Sequence, residues 1–176
     1  MPIEMRDIDF TKHLDLTLAK LDNPGLLLVA RGLGGRGQNA MAIGWATFGI
    51  IWGLPICVVL VRPSRYTYLL IEECQDFTVN VPAPGMEEAV AFCGSNSGRE
   101  HDKFAATGLV AISSAKVSSP VVEGALLQYE CQVVHFNDVV PPQLAARVRA
   151  SSYPSGDFHR LYYGEIVAAR IRADIV

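Results

Sequence analysis

The sequence has no uninterrupted apolar run of roughly eighteen residues, the length a membrane-spanning helix requires. Its most apolar stretch, 40–61, is interrupted by Gly44, Gly49, Gly53 and Pro55. It also lacks a polybasic tract: 15 basic side chains face 18 acidic ones, for a net charge of −3. That balance offers no general attraction for nucleic acid or an anionic membrane, so neither is expected as a partner. Charged residues make up only 19% and hydrophobic ones 50%, which excludes a disordered chain. The four cysteines (Cys57, Cys74, Cys93, Cys131) form no CxxC pair. A zinc site or disulfide frame is therefore not expected, and buried free thiols in a reducing compartment are. The N-terminal stretch carries acids early and no apolar signal segment, so the expectation is a cytoplasmic protein. His13, His101 and His135 are scattered and give no metal constellation. No nucleophile stands at a recognisable spacing from a base, so hydrolysis of the Ser–His–Asp kind has no support.

What is present is a series of short strand-like runs. The length of 176 residues suits a single domain spanning 1–176. Leu26–Ala30 is a compact apolar run after the turn signal Asn23-Pro24-Gly25. Asn39–Phe48 alternates Ala40, Ala42, Gly44 and Ala46 against Met41, Ile43, Trp45 and Thr47, which predicts one strand of period two. Ile56–Val61 and Phe77–Val81 are β-branched runs of strand length, and Leu126–Phe136 alternates like a half-solvated strand. The tail 160–176 reads as one or two more. Helices are predicted over Thr11–Leu21, with Thr11 as cap, over Tyr66–Glu73, and over Met86–Cys93. A further helical turn is predicted from Ser97, which has capping-box spacing to Glu100. Pro141–Ser155 reads as a loop with at most one helical turn. Many strands with few helices between them favour an antiparallel barrel over a doubly wound sheet.

Five segments bear on function. Gly32–Gly37 resembles a dinucleotide loop in composition, but it leads into a strand, so no helix end is available for a pyrophosphate and a hairpin or surface loop is expected. The small-residue face of Asn39–Ala46 admits close approach to the backbone, either by a flat ring or by a packed neighbour. Arg62-Pro63-Ser64-Arg65-Tyr66-Thr67 brings two guanidiniums and two hydroxyls to a helix start, which fits a phosphate cradle or a solvated strand end capped by Ser64. Ser97-Gly98-Arg99, followed by Glu100 to Lys103, fits either anion binding or a charged surface turn. Two such clusters in one small acidic chain point to a phosphorylated ligand. His159 follows Asp157 and Phe158 in a loop, where a solvated histidine beside an acid is also a common arrangement.

These segments, in their order, resemble the flavin reductase-like family of FMN-binding split barrels, in particular its flavoredoxin-like branch. The pieces are Asn39–Trp45, Pro55–Thr67, Phe77–Pro82, Ser97-Gly98-Arg99 with Asp102-Lys103-Phe104, and His159 with Gly164-Glu165-Ile166. The resemblance implies a mainly β fold, a six-stranded antiparallel split β-barrel with a few short peripheral helices. It also implies a homodimer with FMN near the subunit interface. By position, the isoalloxazine ring lies against Met41, Ala42, Ile43, Gly44, Trp45 and Ala46. The ribityl phosphate meets Arg62, Ser64, Arg65, Thr67 and Asn80, and Ser97, Gly98, Arg99 and Lys103 close the site. His159 matches a Gly-Asp-His element near the nicotinamide, here interrupted by Phe158, and is the one catalytic candidate.

The implied chemistry is hydride transfer from NAD(P)H to flavin, with a partner oxygenase or another acceptor taking the electrons. Two alternatives remain at the level of sequence. One is an FMN-containing electron carrier without direct NAD(P)H use, and the other a split-barrel binder of a non-flavin ligand such as haem or a deazaflavin.

Overall fold

A computed structural model describes residues 3–175. The expected domain 1–176 and the expected tail strand to Val176 include residues 1, 2 and 176, which lie outside the described residues. In chain order the elements are β1 (Met5–Asp7), α1 (Leu14–Asp22), β2 (Leu26–Arg31), β3 (Gln38–Ile43), β4 (Ala46–Ile51) and β5 (Leu54–Val61). There follow α2 (Tyr66–Cys74), β6 (Asp76–Val81), α3 (Glu87–Ser95), α4 (Lys103–Thr107), β7 (Ala111–Ile112) and β8 (Val121–Val122). The chain ends with β9 (Leu127–Asp138), α5 (Ala146–Ser152) and β10 (Arg160–Arg172).

The main sheet is antiparallel, in the order β3-β2-β6-β9-β10-β5-β4, with β1 added on β10. Its two edge strands, β3 and β4, are consecutive in the chain and joined through Gly44 and Trp45. Laid flat, seven strands would set those edges about 29 Å apart at ~4.8 Å per step. The chain from Ile43 to Ala46 reaches at most about 11 Å. The sheet therefore has to curl, and the barrel closes through the covalent link between its edges. This is a split barrel, as expected, with eight strands in place of six. Asn39–Phe48 accounts for one of the extra strands. The unbroken alternation predicted a single strand, but its first half pairs with β2 and its second with β5, with the break at Gly44-Trp45. The short β1 supplies the other.

The barrel core gathers Leu26, Leu28, Val59, Phe77, Val79, Tyr129 and Tyr162, all fully buried. Leu27, Val29 and Ala40 point the other way, into a second cluster with Val90 and Cys93 of α3 and Val122 of β8. β2 is thus buried on both faces, which explains why Leu26–Ala30 shows no alternation. Gly164 in β10 is required by packing: a Cβ there would lie 2.6 Å from Phe77 Cζ and 2.7 Å from Cys131 Cβ.

Two predicted caps fall elsewhere. Thr11 donates its hydroxyl and backbone N–H to Asp9 Oδ1, at 2.5 and 2.9 Å, and α1 starts after His13, which takes the left-handed conformation at φ 60°. Ser97 Oγ accepts from the N–H of Arg99 at 3.2 Å, while the cap of α4 is Asp102, whose Oδ1 accepts from Ala105 N at 3.1 Å. In both places a local turn engages the hydroxyl before a helix can use it.

Candidate functional site

β3, the start of α2, the end of α3 and the start of α4 meet around a cavity of about 330 Å³. Met41 and Ala42 of β3 form one wall. Ser64 to Thr67 form a second, and Gly94, Ser97 and Gly98 a third, with Lys103 at the base. The lining carries two cations, Arg65 and Lys103, and no carboxylate. Lys103 is only 4% exposed, and its Nζ donates to the Cys93 carbonyl at 2.8 Å. No carboxylate lies within salt-bridge range of it among the described residues. Burial lowers its pKa; the neighbouring Cys93 opposes that shift and the Arg65 charge adds to it.

Around Lys103 the cavity is built to receive charge. α2 starts at Tyr66 without a side-chain cap: its N-cap residue is Arg65, whose guanidinium has no acceptor to offer, and the preceding Ser64 Oγ donates to Asp157 Oδ2 at 2.6 Å. Thr67 is buried; its Oγ1 accepts from Asn39 Nδ2 at 2.9 Å, which leaves its own proton free for the cavity. A buried ammonium, an uncapped helix start and a free hydroxyl proton suit an anion, and their chemistry fits a phosphate.

A second cavity, of about 200 Å³, adjoins the first and shares Met41, Ala42 and Arg65 with it. Ile43, Gly44, Trp45, Leu60, Arg62 and His159 complete its lining. The Trp45 ring stands 5.1 Å from the His159 ring. His159 is 8% exposed, and its Nδ1 lies 2.7 Å from the Tyr153 hydroxyl. Burial, with the positive charge of Arg62 beside it, holds its pKa down to about 4, so the imidazole is neutral at pH 7. Tyr153 is buried, stacks on Phe158 at 4.8 Å and carries the Arg62 guanidinium over its ring at 5.1 Å.

The structure therefore brings together most of the expected site. Met41 to Trp45, Arg62, Arg65 and His159 line the second cavity, and Ser64, Thr67, Ser97, Gly98 and Lys103 the first. Four residues fall elsewhere or do other work. Asn80 is fully buried: its amide donates to Leu27 O and Thr78 Oγ1, and its Oδ1 accepts from Val122 N, so it fixes β8 against the sheet. Ala46 packs on the barrel core. Arg99 faces a third cavity, of about 470 Å³, outside the first. Arg62 lines the second cavity, yet its guanidinium donates to the carbonyls of Ser152 at 2.9 Å, Asp157 at 2.8 Å and Gly156 at 3.3 Å. It holds the loop that carries His159. The small residues of β3 serve both readings open in the sequence. Ala42 lines the cavities, and it also packs so closely on α3 that a Cβ at Gly94 would meet its own at 3.3 Å. Tyr153 and Asn39 were not singled out by sequence, since neither stands in a spacing that marks a histidine partner or a threonine partner. No group of residues suited to a metal ion occurs among the described residues.

The flavin reductase like domain matches residues 21–176, and the chain belongs to that family. An uncharacterized protein of Archaeoglobus fulgidus is 29% identical over 129 residues, covering 73% of this chain and 63% of its own length. The chain thus spans less than two thirds of that curated relative. Among solved structures, a flavoredoxin from Methanosarcina acetivorans superposes with a TM-score of 0.66 at 28% identity, over 87% of this chain and 70% of its own. An FMN-binding protein from Thermus thermophilus, with bound 1-cyclohex-2-enone, gives a TM-score of 0.63 at 26% identity, over 82% and 68%.

Proposed function

We propose that the chain binds FMN across the two adjoining cavities and acts as an NAD(P)H-dependent flavin reductase. The observation that carries this reading is the buried Lys103 ammonium. It faces a cavity with no carboxylate and sits next to a second cavity walled by the Met41–Trp45 backbone. Leaving a cation buried with a single carbonyl partner is costly, and a bound phosphate offsets that cost. Lys103, Thr67, Ser97 and the start of α2 would hold the phosphate, and Met41 to Trp45 would seat the ring.

Bound FMN supplies a two-electron acceptor for a nicotinamide hydride. The protein's part is to orient and to exclude water. The backbone of β3 forms a flat wall, Trp45 and His159 bound the open side, and the neutral His159 presents a hydrogen-bond donor without adding charge. An acceptor or a partner oxygenase would take the electrons. Homodimerisation is part of the same proposal. It is supported by Ile50 and Trp52, exposed at 62% and 61% near the turn between β4 and β5. The Trp52 ring gathers His135 and Tyr163 at 5.7 and 5.9 Å.

The likeness to a flavoredoxin at 28% identity favours a second reading, an FMN-bearing electron carrier. One experiment separates the two. After loading with FMN and desalting, the visible flavin band is followed anaerobically while NADH and then NADPH are added. Bleaching with either donor supports the reductase and names the donor. A band that persists with both supports the carrier, and no retained band together with no turnover of added flavin refutes FMN binding. Light scattering reads the oligomeric state.

A further inference from the structure

We infer that Tyr66, Gly98 and Arg99 seal the far end of the Lys103 cavity, making the site selective for a flavin ending in a phosphomonoester over one extended by a second phosphate and nucleoside. The inference rests on the flavin reading above. Three cavities lie in a fixed order. The Lys103 cavity shares Met41, Ala42 and Arg65 with the ring cavity on one side, and Tyr66 and Gly98 with the third cavity on the other. A ligand that continued past its first phosphate, away from the ring, would have to pass between Tyr66 and Gly98 to reach the third cavity.

That passage is closed by contact. A Cβ at Gly98 would lie 2.7 Å from Tyr66 Cδ1 and closer still to the Asn39 amide, so the glycine backbone already rests on both side chains. Two latches hold the wall. Arg99 donates from Nη1 to the Ser64 carbonyl at 2.7 Å and lies over the Tyr66 ring at 5.6 Å. The Tyr66 hydroxyl donates to the Arg36 carbonyl at 3.3 Å. Charge opposes passage as well. The Lys103 cavity has no carboxylate, whereas the third is lined by Glu100 and Asp102, and the guanidinium of Arg36 there is already paired with Glu73 at 2.5 Å. A second phosphate would leave a basic chamber for a mixed one and break a backbone contact on the way.

The test measures equilibrium binding of FMN, FAD and riboflavin to the purified chain by quenching of flavin fluorescence. FMN is expected to bind at least roughly tenfold more tightly than FAD. Tyr66→Ala should narrow that ratio by opening the wall, while Tyr66→Phe, which keeps the ring under Arg99 and loses only the Arg36 contact, should narrow it less. Arg99→Ala, at an exposed position, should narrow the ratio less and serves even where Tyr66→Ala folds poorly. Equal affinities for FMN and FAD, or a preference for FAD, overturn the seal and leave flavin binding intact. A ratio unmoved by both Tyr66→Ala and Arg99→Ala overturns the assignment of these residues. Binding of none of the three flavins refutes the underlying reading instead.

Discussion

The Tyr153 hydroxyl lies 2.7 Å from Nδ1 of His159, and hydrogen-bond accounting fixes the direction of that bond. Tyr153 is 6% exposed and its hydroxyl has no other partner among the described residues, so its proton has to go to Nδ1. Nδ1 then accepts, and Nε2 carries the ring hydrogen. Asp157, two residues from His159 and the obvious orienting group by sequence, instead accepts from Ser64 Oγ at 2.6 Å. The extra Phe158 separates the acid from the histidine and stacks on Tyr153. The imidazole is oriented by a phenol in place of a carboxylate, and burial together with the Arg62 charge keeps it neutral.

This pair makes a prediction about protonation. In ¹⁵N NMR, His159 should show a single neutral tautomer, protonated at Nε2, down to about pH 5, and Tyr153→Phe should mix the two tautomers. With its pKa held at about 4 in the folded chain, against the ordinary value near 6.5, His159 takes up its proton in the unfolded state first. Its contribution to stability is therefore complete above about pH 6.5 and is lost as the pH falls towards 4. Urea midpoints at pH 7, 5.5 and 4.5 should fall more steeply for the parent than for His159→Gln. Equal slopes would show that the imidazole titrates in the fold as it does in the unfolded chain.

Arg62 should behave as the anchor of the His159 loop. Its three carbonyl contacts, to Ser152, Gly156 and Asp157, use the planar fork of the guanidinium, which an ammonium cannot reproduce. Arg62→Lys is expected to lose about 1–2 kcal/mol of stability and to make residues 152–158 the first site of limited proteolysis. A phosphate-binding role alone would leave the proteolytic pattern unchanged and lower only FMN affinity.

The family and the barrel were legible because they rest on local pattern: β-branched runs, their order, and the glycine and proline between them. The site was legible in part for the same reason. Lys103, Thr67 and Gly98 sit in short segments whose chemistry can be read without knowing what they face. The break of Asn39–Phe48 into β3 and β4 was not legible, since alternation continues through Gly44-Trp45 and only the change of partner strand divides it. Asn80, which the resemblance sets at the ribityl phosphate, spends its amide on the backbone of β2 and β8, and its partner Val122 lies 42 residues away, where no local pattern announces it. Arg62, whose place at a strand end fits a phosphate cradle, lines the second cavity and also binds a loop about 90 residues on. Each of these features depends on a long-range contact.

Gly164→Ala tests the packing of the barrel. The added methyl would stand 2.6 Å from Phe77 Cζ and 2.7 Å from Cys131 Cβ, both on fully buried side chains that have no room to withdraw. Overpacking of this kind is expected to cost about 2–3 kcal/mol, seen as a lower urea midpoint with little change in slope. A loss below about 0.5 kcal/mol would mean that the β9–β10 ladder shifts freely at this point.

Lys103 separates a ligand-binding role from a structural one, because the two predict opposite changes in stability. Its ammonium is buried and has, among the described residues, one carbonyl partner and no counter-ion, and burial lowers its pKa. Lys103→Met keeps the length and apolar stem of the side chain while removing the charge. Without FMN this variant should be as stable as the parent or more stable, by up to about 2 kcal/mol. With FMN it should bind about 10- to 150-fold more weakly, the loss of one charge-assisted phosphate contact of about 1.5–3 kcal/mol. Riboflavin, which has no phosphate, should bind parent and variant alike. FMN titrations, riboflavin titrations and urea melts on the same two proteins give all three numbers. A variant that is destabilised by 2 kcal/mol or more and binds FMN unchanged would make Lys103 a tie between α3 and α4, and the anion site would have to be sought elsewhere on the molecule.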